Sequence, residues 1–152
     1  MPGHGKLHLS IPETWKVAFQ SIPRPQAINL EIRPSDGKTF DLQITSVWLE
    51  KKSPMNADSE VREQVRQTGE HMLPNAVEKE LKLSELRGAQ SAGFYFALTD
   101  RAPGPGEFAY MKQGVFRTGE LLNTFTLLSS APESEEVRQL MEMLSAATYS
   151  TN

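Results

Sequence analysis

"RAPGPGEFAYMKQG", residues 101–114, decides the fold, because its two readings have opposite consequences for the chain on either side. A phosphate cradle needs backbone N–H groups converging at a helix N-terminus, with Lys or Ser/Thr placed to meet the phosphates. Pro103 and Pro105 lack two of those donors, and the residues after the glycines, "EFAYMKQGVF", read as a strand. The stretch is therefore expected to be a long mobile hairpin loop joining strands over 94–99 and 108–116, better suited to touching a partner than to holding phosphate.

Reading toward the C-terminus, further strands over 81–86 and 121–129 complete a four-strand meander, with "RGAQSAG", "RAPGPG" and "RTGE" as its connections. Leu121, Phe125 and Leu127 point one way and Leu122 and Leu128 the other, so the last strand is expected to be covered on both faces. In "SSAPESEEVRQLMEML", Ser130 reads as an N-cap with Glu133 completing a capping box and Pro132 in the first turn. Val137, Leu140, Met141 and Leu144 form the predicted buried stripe of that helix, and Glu133, Glu135 and Glu136 complement the positive end of its dipole.

Toward the N-terminus, Ile28, Leu30 and Ile32 alternate with polar residues, as do Phe40, Leu42 and Ile44, and the Asp36-Gly37 pair between them supplies a tight antiparallel turn. The second of these strands runs on through Val47, Trp48 and Leu49, apolar on both faces, which predicts an interior place in the sheet. "IPETWKVAF" reads as strand, kink, strand, with Leu7, Leu9 and Ile11 before Pro12 and Trp15, Val17 and Phe19 after it; "SIPRPQ" is the loop that comes next. Between the two strand blocks, Val61, Val65, Thr68 and Met72 fall at helical spacing. Asn56 or Asp58 is the expected cap, and Asp58 with Arg62 and Arg66 with Glu70 are four-apart ion pairs of about 0.3 kcal/mol each. The order strands, helix, strands, helix is an α+β order and does not alternate as parallel βαβ units do.

Composition bounds the function. The formal charge of -3 is spread along 152 residues, so no basic stripe exists for nucleic acid. Cysteine is absent, which removes disulfides, thiolate metal sites and cysteine nucleophiles, and no apolar run reaches the roughly 20 residues of a membrane span. The compartment stays open between cytoplasmic and exported. His4 and His8 are four apart, yet Gly3 and Gly5 argue against a helix there and no third ligand is near, so they read as tail. His71 beside Glu70 reads as a helix-end residue, and neither "SAG" nor "LSSAP" builds the elbow a serine nucleophile needs. No catalytic residue, metal or cofactor is assigned.

"LSIPETWKV", a hairpin, a mid-chain helix, a meander entered through "LRGAQSAGFYFAL", the tip "FRTGELLNTFTLLSS" and a closing amphipathic helix together resemble the superfamily of the photosystem extrinsic protein PsbP, the Ran-release factor Mog and the bacterial DcrB-like domains. The resemblance spans nearly the whole chain. It implies an α/β/α sandwich around an antiparallel sheet of six or seven strands with two main helices, as one domain over 1–152 with a flexible tail over 1–6. It also implies a mostly non-catalytic protein that binds other proteins; no functional residue of the family matches a position here, and none is carried over.

Two functional expectations result. The first is a non-enzymatic accessory or protein-binding domain that uses a sheet edge, the "RAPGPG" loop or the face around Trp48, with Trp48, Arg101, Pro103, Pro105, Phe108 and Tyr110 as contact residues. The second is a small-molecule binder or small enzyme with a pocket between sheet and helices lined by Trp15, Tyr95, Tyr110 and His71. Self-association as a homodimer through the aromatic meander is compatible with either.

Overall fold

The computed structural model describes residues 4–20 and 27–151; the loop expected over 21–26 and the first three residues of the expected tail lie outside them. Seven strands form one sheet, in which β2 (Trp15–Gln20), β3 (Ala27–Pro34) and β4 (Phe40–Trp48) make one block. β5 (Leu83–Arg87), β6 (Ser91–Thr99), β7 (Tyr110–Thr118) and β8 (Leu121–Ser129) make the expected meander. Every neighbouring pair is antiparallel, in the order β2-β3-β4-β8-β7-β6-β5.

The blocks join where β4 meets β8, paired from Phe40 with Ser129 to Trp48 with Leu121. Both strands are therefore interior, as their two-faced apolar patterns predict. Helix α1 (Asp58–Met72) connects the blocks and α2 (Glu135–Ser145) comes after the meander, giving a mixed α+β fold. Among the described residues, no helix is long and apolar enough to cross a membrane.

The register separates two apolar clusters. Leu30, Ile44 and Phe125 share one face and pack with Val137, Leu140, Met143 and Leu144 of α2. Leu122, Val115 and Phe94 belong to the other face and pack with Val61 and Val65 of α1. On the α2 face a buried polar chain crosses four strands. Ser46 Oγ donates to Asn123 Oδ1 (2.6 Å), Asn123 Nδ2 points to Thr118 Oγ1 (3.5 Å), Thr118 and Ser91 hydroxyls meet at 3.0 Å, and Ser91 Oγ donates to the Ala147 carbonyl (2.9 Å).

Three local expectations change. Ser134, and not Ser130, caps α2: its Oγ accepts from Val137 N–H, and the Ser130 hydroxyl instead donates to the Thr39 carbonyl. Met143 takes the buried place expected of Met141, because 140, 143 and 144 share a stripe that 141 only borders. Neither Asn56 nor Asp58 caps α1, whose N-cap is Ala57; Asp58 is held by Arg117 and Arg87 in place of Arg62, whereas the Arg66–Glu70 pair forms as expected. Arg66 also grips Glu63 (2.6 Å). The hydrogen bonds from Arg66 and Gln67 hold the Glu63 carboxyl down at about 2.

A strand absent from the sequence reading, β9 (Thr148–Ser150), pairs antiparallel with β1 (Lys6–His8), apart from the main sheet. The part of the expected tail that is described is anchored. His4 stacks on Trp48 at 4.4 Å, His8 Nε2 meets Ser150 Oγ at 2.7 Å, and Tyr149 Oη donates to the His4 carbonyl (3.0 Å) and lies 3.2 Å from Glu120 Oε2. Burial, then the Glu120 carboxylate, pushes the Tyr149 phenol above its ordinary range.

Element lengths explain why one edge stays bare. Eleven residues of α2 reach about 16 Å at ~1.5 Å per residue, whereas seven strands at ~4.8 Å spacing span about 29 Å. Over β2 and β3 the cover on the α2 face therefore includes Leu7, Leu9 and Ile11, the strap that runs on from β1.

Candidate functional site

The residues singled out from sequence scatter over the molecule. Arg101 turns back onto its own scaffold: its guanidinium donates to the carbonyls of Pro74 (2.8 Å) and Ala76 (3.2 Å), and its N–H to that of Asn75. Pro103 and Pro105 are exposed on a loop that Glu107 also ties, accepting from Gly104 N–H at 2.8 Å. Phe108 lines a small apolar hollow of about 170 Å3 with Met72, Leu98 and Met111. Tyr110 lies instead near Lys112 and Glu133, which pair at 2.7 Å. Trp48 lies beneath His4, its indole Nε1 buried without a hydrogen-bond partner among the described residues.

The expected pocket residues do not converge either. Trp15 packs edge-on against Phe40 at 4.9 Å, Tyr95 leans on Phe125 under the Lys112 ammonium (5.9 Å), and His71 is exposed on α1. Among the described residues, no group of three His, Asp or Glu side chains gathers to hold a metal ion.

The structure does bring residues together at the outer edge of β2, one of the sites the sequence marks only as "a sheet edge". Among the described residues, β2 pairs with β3 alone. Val17 is 41% and Phe19 77% exposed, two of the three large apolar side chains so exposed among the described residues. Both look onto a groove of about 320 Å3 between the strap and β2–β4, lined by Leu7, Leu9, Ile11, Ile28, Leu30 and Ile44. Its polar lining is the aliphatic-stemmed Lys6 and the hydroxyl of Ser46, which is already committed to Asn123. Apolar walls and few polar groups suit an apolar occupant.

The opposite face of the same edge is basic. A shallow concavity there is lined by Lys16, Arg33, Lys38 and Glu31. Arg33 is spoken for by Glu31 (2.5 Å) and Asp41 (3.0 Å), and the Asp41 bond and charge raise the guanidinium's pKa. Lys16 and Lys38 have no ion-pair partner among the described residues. The signal for this site was in the sequence, as "TWKVAFQ" with a lysine between three apolar residues, but alternation alone does not say which strand ends the sheet.

No protein-family model matches the chain, and no curated protein matches it.

Proposed function

We propose that the chain is a non-enzymatic accessory domain that binds another protein through the β2 edge, built as the α/β/α sandwich that the PsbP-like resemblance implies. Support for the layering comes from the two helices, whose buried stripes draw on opposite faces of a single antiparallel sheet. The observation that carries the function is the exposure of Phe19 and Val17 side by side on a terminal strand above an apolar groove. A contiguous apolar patch at an unpaired strand edge is both an interaction surface and an aggregation hazard, and a partner resolves the hazard.

Affinity capture from extract of the native organism, using the full chain and its Phe19→Ser variant, tests the reading. Because Phe19 is mostly exposed, the variant should melt within a degree or two of the parent. A protein held by the parent should be missing from the variant. An identical set of retained proteins on both would remove the β2 edge from consideration.

A further inference from the structure

We propose that the occupant of the β2 edge is an extended segment of a partner protein in which apolar and acidic residues alternate, added to the sheet as an eighth strand. This rests on the protein-binding reading above and narrows it to one partner chemistry.

The hydrogen-bonding parity of β2 supplies the first argument. Ser35 N–H donates to the Thr14 carbonyl, and the register Trp15–Pro34, Lys16–Arg33, Val17–Ile32 continues from that pair. In an antiparallel ladder bonded and non-bonded pairs alternate, so Lys16, Ala18 and Gln20 spend their backbone groups on β3. Val17 and Phe19 therefore turn their N–H and C=O outward, and no other hydrogen bond reaches them among the described residues. Those four groups are spaced as a ladder for one more strand.

Side-chain chemistry on the two faces then fixes the pattern of that strand. Residues of an added strand alternate between faces as those of β2 do. One set falls beside Val17 and Phe19, over the Leu7–Leu9–Ile28 groove, and must be apolar. The other set falls beside Lys16 and Lys38, whose ammonium groups have no ion-pair partner among the described residues, while Arg33 on that face is already neutralised by Glu31 and Asp41. Acidic side chains complement that face, and basic ones are repelled by it.

A second copy of the chain fits worse. "WKVAFQ" contains no acid, so pairing β2 with β2 would leave Lys16 without a counter-charge.

The test uses the full chain and labelled octapeptides followed by fluorescence anisotropy: alternating glutamate–valine, alternating lysine–valine, and a block peptide of four glutamates then four valines. Two further glutamate–valine peptides carry N-methyl groups, one on every valine and the other on every glutamate. The alternating acidic peptide should bind at least about tenfold more tightly than the basic and block peptides at low salt, with the margin over the basic one shrinking as salt rises. One N-methylated peptide should lose binding and the other keep it, because only alternate amides of an added strand face β2. Lys16→Glu should shift the preference toward the basic peptide.

Equal binding of acidic and basic peptides, indifference to both methylation patterns, or no binding up to millimolar concentration overturns the proposal. Since the probe is altered in most arms, misfolding of a variant cannot imitate these results. If the peptides fail while Phe19→Ser still strips a natural partner, the strand chemistry is wrong and the protein-binding reading stands. A concentration-dependent dimer in light scattering that Lys16→Glu strengthens would give the edge to a second copy and overturn the proposal.

Discussion

The buried contact between Ser46 and Asn123 offers a quantitative test of how the sheet is held together across its central seam. Asn123 accepts from Ser46 Oγ at 2.6 Å and lies wholly inside, so Asn123→Ala removes an acceptor and strands a hydroxyl that is itself buried. The lost bond is worth about 1 kcal/mol and the stranded hydroxyl about 2 kcal/mol, before any cavity is counted. Asn123→Ala should therefore cost about 3 kcal/mol, or a fall of roughly 6–12 °C in Tm for a chain of this size. Ser46→Ala leaves the amide oxygen unpaired and should cost about 2 kcal/mol.

Removing both partners strands neither, so the double variant should lose only the bond, about 1 kcal/mol before any cavity is counted, and not the sum of about 5 kcal/mol. Urea unfolding of the four proteins, followed by circular dichroism, measures the coupling directly. Additivity within about 0.5 kcal/mol would refute the reasoning, because it would mean that the two polar groups do not depend on each other.

Other outcomes rest on single contacts. Gly119 has φ +58, and an added Cβ would lie 2.2 to 2.7 Å from the Tyr149 ring and Cβ, whereas Gly37 has φ +94 with nothing within 4 Å. Gly119→Ala should accordingly cost about 2 kcal/mol more than Gly37→Ala in chemical denaturation, and equal costs would show that Tyr149 does not press there. NMR titration should find the Glu63 carboxyl midpoint at about 2 and move it toward the ordinary 4.5 in Arg66→Gln. A folded pKa below the unfolded one stabilises above pH ~4.5 and loses that contribution as pH falls toward 2, so an unmoved midpoint in the variant would count against the ion pair. Arg101→Ala should speed amide exchange and proteolysis across residues 101–108, since the two carbonyls of Pro74 and Ala76 lose their donor. Unchanged exchange would mean the loop is held without it.

Alternation made the hairpin at Asp36-Gly37 and the four-strand meander legible, because a strand with one wet face writes its period directly into the residues. The interior places of β4 and β8 were legible for the same reason, from apolar residues on both faces. Pairing between the two blocks was not, since β4 and β8 are 77 residues apart where Ser46 meets Asn123 and no local signal joins them. β9 was invisible because Thr148, Tyr149 and Ser150 are too few to carry a period, and their strand exists only by pairing with β1. Ser130 and Ser134 both precede acidic residues, and the capping-box pattern favoured the one that the Thr39 carbonyl had already taken. At the candidate site, the alternation of Trp15, Val17 and Phe19 announced a strand with an apolar face. The cover over that face depends on the reach of α2, a length that matters only once the seven strands are laid side by side.

The three pairs between β1 and β9 also set how the molecule answers to tension. Lys6 faces Ser150 at the open end of that ribbon, and His8 faces Thr148 at the far end. A pull on the two ends of the described chain loads one rung at a time, as a zipper does, and antiparallel ribbons opened this way yield at low force because their bonds never share the strain. Once the third rung parts, the next segment to feel the load is the one carrying Leu9 and Ile11, and peeling it away would unroof the groove beside Phe19.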